Sequence, residues 1–100
     1  MARKCPSASD RRLVVYVGTN DLELRRIGLS VGRRIGGAVQ RNRVKRLLRE
    51  AFRLKQHDLP PGIDVLVVAK AEAEATLADY QGSLVALTSA AYRKLAGRSR

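Results

Sequence analysis

The chain has no tryptophan, one phenylalanine, one histidine and one cysteine among its 100 residues. Cys5 has no second thiol in the chain to bridge to, so a disulfide framework is excluded and the composition fits a reducing, cytoplasmic setting. Nothing around Cys5 marks it as reactive or metal-binding. Long apolar runs are missing as well. The longest, such as Val65 to Ala69, fall far short of the roughly 20 residues that span a bilayer, so no membrane partner is expected. Met1 to Asp10 contains no apolar stretch of the kind a secretory signal needs. Acid is also scarce: 9 Asp and Glu stand against 20 Lys and Arg, for a net charge of +11. Such an excess repels itself on folding and points to a polyanionic partner.

Apolar residues still make up 45% of the chain, enough for one compact domain over 1–100. Residues 1–10 are expected to be disordered, with the folded core over 11–95. The charge is unevenly spread. Residues 33–53 carry +7 and 93–100 carry +4, while 54–92 carry −3. A patch of one sign within 21 residues suits a specific anionic surface better than general solubility.

Arg11 to Gly18 reads as a strand, with Leu13, Val15 and Val17 alternating against Val14 and Tyr16 before the turn residues Gly18-Thr19-Asn20-Asp21. Leu22 to Gly32 reads as its antiparallel partner, setting Ile27, Leu29 and Val31 against Arg26, Gly28 and Ser30. From Ala38 to about Lys55 the period becomes helical: Val44, Leu47, Leu48, Ala51 and Phe52 form one apolar face. Pro60-Pro61-Gly62 ends that helix, and Ile63 to Ala69 reads as a buried strand. Thr76 and Asp79 form a variant capping box for a second helix burying Leu77, Tyr80, Leu84, Leu87, Ala91 and Leu95, which Gly97 is placed to close. The expected order is β-β-α-β-α, an α+β fold with a small mixed sheet packed against a central basic helix and a C-terminal helix.

Wound at about 100° per residue, the central helix places Asn42, Arg46, Arg49 and Arg53 in one polar stripe opposite the apolar face. Lys45 flanks the stripe on one shoulder, Arg43 and Glu50 on the other, and Arg41 lies in the first turn above the apolar side. Seven of the eight basic residues between 33 and 53 are arginine. The planar guanidinium fork donates two parallel hydrogen bonds to phosphate, which lysine cannot do. Asn42 is able to read a base edge or a 2′-hydroxyl. A merely solvated face would mix signs to form i,i+4 pairs, and only Glu50 offers one here. A DNA-binding helix is the stronger rival, but no helix-turn-helix pair, zinc-ligand spacing or heptad run accompanies this one.

The run RIGLSVGRRIGGAVQRNRVKRLLREAF, Arg26 to Phe52, resembles the signature region of the bacterial ribonuclease P protein family. The match centres on Arg41-Asn42-Arg43, Lys45-Arg46, Arg49-Glu50 and Phe52, and the likeness extends from about Arg12 to Leu95, weakening after Ala69. The resemblance implies a left-handed βαβ crossover, where general strand chirality would have favoured a right-handed one. It implies that Arg41, Asn42, Arg43, Lys45, Arg46, Arg49 and Arg53 contact a catalytic RNA. Arg33 and Arg34 match a basic pair near the mouth of a sheet-floored cleft that takes the single-stranded 5′ leader of precursor tRNA. Tyr16 matches a cleft aromatic able to stack on leader bases; the alternative reading of it is a core tyrosine with a satisfied hydroxyl. Two positions depart from the family pattern. Met1 to Asp10 lacks the Phe-bearing helix that walls the cleft, whether because it is absent or because the start lies upstream, so a modest leader contribution is expected. Gly37 replaces a polar residue at the helix N-terminus, a tolerable exchange for a cap.

No catalytic residue or metal site is expected on the chain itself. His57 sits beside Asp58 near a helix end and reads as a C-terminal helix cation. Glu72 and Glu74 read as a solvated loop pair rather than metal ligands, and Gly36-Gly37 is too short for a phosphate loop. In the family the reaction uses Mg²⁺ held by RNA, so neither a protein-bound cofactor nor an obligate protein partner is expected. The main alternative is a small ribosomal or other structural RNA-binding protein, which charge and size suit equally well; a DNA-binding architectural protein is the third reading. Whatever the RNA, the charge predicts its salt response. With about six phosphates neutralised, log K should fall against log[salt] with a slope of roughly −4 to −5. Titrations at several salt concentrations check this, and a slope shallower than about −2 would remove the basic patch from the contact surface.

Overall fold

The sheet is built from period-two alternation, and its two inner strands carry apolar residues on both sides. The computed structural model describes residues 5–20, 22–70 and 75–98. Four strands, β1 (Ser7–Ser9), β2 (Leu13–Thr19), β3 (Arg25–Val31) and β4 (Ile63–Ala69), lie in the order β1-β2-β4-β3. Helix α1 (Ala38–Lys55) follows β3 and α2 (Leu77–Arg98) follows β4, with short 3-10 turns at Arg33–Ile35 and Gln56–Asp58 flanking α1.

β2 and β3 were expected to pair as a hairpin, and they do not. β4 inserts between them, antiparallel to β2 with Tyr16 opposite Leu66 and parallel to β3 with Gly28 opposite Leu66. The reason lies in composition. β4 buries Ile63, Val65 and Val67 on one side and still carries Leu66 and Val68 on the other. β3 alternates with Arg26, Gly28 and Ser30, all exposed, and so suits an edge. β3, α1 and β4 thus form the βαβ unit of adjacent parallel strands that the resemblance implied.

The expectation of disorder over residues 1–10 needs correction where β1 lies, and residues 1–4 lie outside the described residues. Ser7, Ala8 and Ser9 pair with Tyr16, Val15 and Val14. Only Ala8 packs on the core, so the segment has no apolar alternation to betray it. Its ladder is extended by Val17 N–H donating to the Pro6 carbonyl (3.1 Å) and by Lys94 Nζ donating to the Ser7 carbonyl (2.7 Å).

Both helices cover the same face. α1 lies over β3, and α2 over β1 and β2. Leu13, Val15, Val17, Ile63, Val65 and Val67 meet Val44, Leu48 and Ala51 of α1 and Tyr80, Leu84 and Ala91 of α2 in one core. Fully burying each larger side chain contributes about 1.5–3 kcal/mol. Among the described residues no element covers the opposite face. Two glycines make the turns. Gly36, at φ +140°, leads into α1, where a Cβ would lie 1.7 Å from Gln40 Oε1. Gly62, at φ +73°, leads into β4, where a Cβ would lie 3.2 Å from the Leu22 carbonyl oxygen.

The capping box of α2 is formed: Thr76 N–H donates to Asp79 Oδ2 (3.0 Å) and Asp79 N–H to Thr76 Oγ1 (3.2 Å). Gly97 does not close α2, which continues to Arg98.

Asp10 ties the turn between β1 and β2 to α2. Its Oδ1 accepts from the Arg12 and Leu13 backbone N–H groups (2.7 and 2.9 Å), and its Oδ2 accepts from Ser83 Oγ (2.7 Å). Burial pushes this carboxyl up, but the bonds from Ser83, Leu13 and Arg12 outweigh it and hold the group below the usual aspartate value. A depressed folded value means stability that is present above the unfolded value of about 3.9 and lost as pH falls through the folded one. Asp10→Ala should therefore lower the unfolding free energy at pH 7 by about 2 kcal/mol. In denaturant titrations the gap from the parent should narrow below pH ~3. A gap of constant size down to pH 2 would contradict this assignment.

Candidate nucleic-acid interface

Anchoring of α1 through Val44, Leu48 and Ala51 turns its opposite side to solvent. Asn42, Arg46, Arg49 and Arg53 are all exposed, as the wheel required, and Arg43 is exposed on the flank. Lys45 is half-buried. Arg41 is also half-buried, with its Nε enclosed and without a hydrogen-bond partner. Burial holds the Tyr80 hydroxyl above the ordinary tyrosine value, and the positive charge of Arg43 offsets part of that rise.

The stripe is not uniformly available. Glu50 takes both sides of the Arg53 fork, with Arg53 Nε donating to Oε1 (3.0 Å) and Nη2 to Oε2 (2.5 Å). That bond holds the Glu50 carboxyl below its usual range and raises the guanidinium of Arg53. Arg46 and Arg49 have no ion pair among the described residues, so the middle of the stripe is its most accessible part. At the N-terminus of α1, Gly37 supplies no side-chain cap. The first-turn N–H groups thereby add partial positive charge to the same end as Arg41 and Asn42.

The second surface is the helix-free face of the sheet. Tyr16 lies there, half-buried and outside the core cluster, so its reading as a core tyrosine does not hold. It lines a hollow of about 460 Å³ together with Cys5, Gly18, Arg26, Gly28 and Leu66. Gly28 leaves the floor low: a Cβ there would make an ordinary 3.6 Å contact with Leu66 Cδ1. One rim is a polar network absent from the expected site. Arg26 Nε and Nη2 donate to the two Asp64 oxygens (2.8 and 2.9 Å), and Asn20 Nδ2 donates to Asp64 Oδ1 (2.8 Å). Those bonds, from Arg26 first and then Asn20, keep the Asp64 carboxyl below its usual range. Period two had placed Arg26 on this face, but its partner emerged only when β4 proved to be the neighbour of β3.

Arg33 and Arg34 sit exposed in the 3-10 turn between β3 and α1. Arg34 lines a second hollow on the same face of the sheet, and Arg33 does not. His57 is exposed in the turn after α1. Glu72 and Glu74 lie outside the described residues. Among the described residues no three His, Cys, Asp or Glu side chains gather into a metal-binding set, and no helix is long and apolar enough to cross a membrane.

Comparison with known proteins gives a consistent picture. Residues 1–92 match the family model described as Ribonuclease P. The ribonuclease P protein component of Natranaerobius thermophilus is 41% identical over 68 residues, covering 68% of this chain and 59% of that protein. The component from Alkaliphilus metalliredigens is 33% identical over 86 residues, covering 85% and 78%. In the first curated relatives the matched segment spans 56–59% of their length. The Thermotoga maritima RNase P protein superposes with a TM-score of 0.75 at 26% identity, covering 83% of this chain and 80% of that one. The Staphylococcus aureus RNase P protein gives 0.72 at 34% identity, covering 82% and 76%.

The stripe geometry sorts its members. Arg46→Ala and Arg49→Ala should each weaken binding to a bacterial ribonuclease P RNA by about 1–3 kcal/mol, as each removes an unpaired guanidinium. Glu50→Ala should leave affinity unchanged or raise it, because it releases the Arg53 fork. Filter-binding titrations check this, with circular dichroism to exclude misfolding; equal losses in all three variants would contradict it.

Proposed function

We propose that this chain, which belongs to the ribonuclease P protein family, is the protein subunit of the ribonucleoprotein that removes the 5′ leader from precursor tRNA. The observation that carries the reading is the division of labour between two surfaces. α1 presents unpaired arginines on a rigid, core-anchored helix, and the bare sheet face offers a half-buried aromatic over a low floor. The first suits the phosphate backbone of a large folded RNA, where closely spaced guanidinium forks bind without reading sequence. The second suits a single strand, whose unstacked bases can lie against a tyrosine.

In this reading the protein holds and aligns RNA, and the bond-breaking chemistry lies elsewhere. In this reading Mg²⁺ belongs to the RNA, and no step is routed through a metal on this chain. The partners are the catalytic RNA and precursor tRNA, with no obligate protein partner, in the cytoplasm. The small-ribosomal-protein alternative gains no support from the relatives and would leave the aromatic hollow without a use.

The test is selectivity. Tyr16→Ala should weaken precursor tRNA binding by the assembled ribonucleoprotein by about 1–3 kcal/mol. Affinity for mature tRNA, which lacks the leader, should hardly change, and neither should binding to the catalytic RNA. Equal losses for precursor and mature tRNA would refute a leader role for Tyr16.

A further inference from the structure

Two segments together match the whole net charge of the chain: +7 over residues 33–53 and +4 over residues 93–100. The first belongs to α1 and the turn before it. The second is four cations in eight residues, Arg93, Lys94, Arg98 and Arg100, at and beyond the C-terminal end of α2. From Leu77 to Tyr92, α2 carries Asp79 and no cation. The charge of this helix is therefore gathered at one end.

A helix C-terminus favours cations within its last turn, where the backbone dipole ends. That accounts for Arg98 and not for Arg93, which stands five residues before the end. Arg93 is exposed and enters no ion pair among the described residues. α2 turns Tyr80, Leu84, Leu87 and Ala91 into the core. At about 100° per residue Arg93 lies about 200° round from Ala91, on the outward side. Lys94 Nζ donates to the Ser7 carbonyl oxygen (2.7 Å), which pins this end of α2 to β1.

β1 and β3 are the outer strands of the sheet, about 14 Å apart at the usual strand spacing. α1 lies over β3, the basic end of α2 is tied to β1, and Arg46, Arg49 and Arg93 all stand opposite the buried sides of their helices. The separation exceeds the screening length of about 8 Å at physiological salt, so the two patches act as separate contacts. Both lie on the side of the sheet away from the Tyr16 hollow.

We propose that Arg93, with Arg98 and Arg100 following it in the chain, binds the phosphate backbone of the catalytic RNA as a second anchor, so that the protein bridges two separate tracts of that RNA. The inference rests on the reading of α1 as an RNA-binding helix and adds a second point of attachment. The partner is the folded RNA because the patch shares the α1 side of the sheet, whereas the leader is assigned to the bare face. Two anchors on one rigid body fix the distance between the tracts they hold, which a single helix does not do.

The test compares two charge-neutral variants of the full chain, one carrying Arg93→Gln, Arg98→Gln and Arg100→Gln, the other Arg46→Gln and Arg49→Gln. Lys94 is kept, so the contact with Ser7 survives. Binding to a bacterial ribonuclease P RNA is measured across a range of salt, and the complexes are footprinted with hydroxyl radicals. The parent should protect two separate tracts. The α2 variant should lose one tract and keep the other, with a slope of log K against log[salt] shallower by about 2 to 3. The α1 variant should lose the other tract. Replacing the same three α2 arginines by lysine should keep most of the slope, because the charge stays.

If the α2 variant keeps both tracts and the parent slope, the anchor is overturned and these cations serve the helix end alone, a role that a lower melting temperature would register. If that variant binds the catalytic RNA like the parent but weakens precursor tRNA binding by the assembled ribonucleoprotein, the anchor on the catalytic RNA is equally overturned. If neither variant alters binding, the reading of α1 itself fails and the anchor fails with it.

Discussion

The placement of β4 between β2 and β3 governs the rest of this structure. A strand apolar on both faces cannot lie at an edge without exposing one of them, so it enters between β2 and β3. Its parallel pairing with β3 then requires a long crossover, and α1 is that crossover. With both helices on one face, the core closes around Leu48, Tyr80 and Leu84, and the other face is left bare. The two RNA-facing surfaces of the account, a cationic helix and an open sheet, are consequences of this one arrangement.

Orientation of the arginines follows from the same core. Val44, Leu48 and Ala51 leave α1 little freedom to roll, because any roll would lift buried apolar surface into water. Arg46 and Arg49 are held outward by packing beneath them, so part of the ordering cost of binding is met in the free protein. Where an acid is present it sets a boundary. Glu50 occupies Arg53 at the far end of the stripe, and Asp64 occupies Arg26 beside the aromatic hollow. The cations free of such pairing at the middle of α1, Arg46 and Arg49, mark out where phosphate is expected.

Much of this was legible in the residues. The 3.6-residue period from Val44 to Phe52 gave the helix, its buried side and its stripe together, and Thr76 with Asp79 announced the start of α2. Strand pairing was not legible. Adjacency in sequence favours a hairpin between the segments around Val15 and Leu29, and only the two-sided apolar character of Ile63 to Ala69 argues against it. β1 escaped notice because Ser7-Ala8-Ser9 presents one small apolar side chain, and its stability comes from backbone bonds to β2 and from the Lys94 contact. For the site, Arg26 was visible on its face of the strand. Its companion Asp64 became a neighbour only through the sheet order.

The most direct measurement is a backbone amide chemical-shift map of the protein titrated separately with the catalytic RNA's protein-binding portion and with a short single-stranded leader oligonucleotide. The account predicts that the structured RNA perturbs the outer side of α1 around Arg46 and Arg49, and that the leader perturbs Tyr16, Gly28, Ser30 and Lys70 on the bare sheet face. Perturbation of one common set of residues by both ligands, or of the outer side of α2 by the leader, would contradict it.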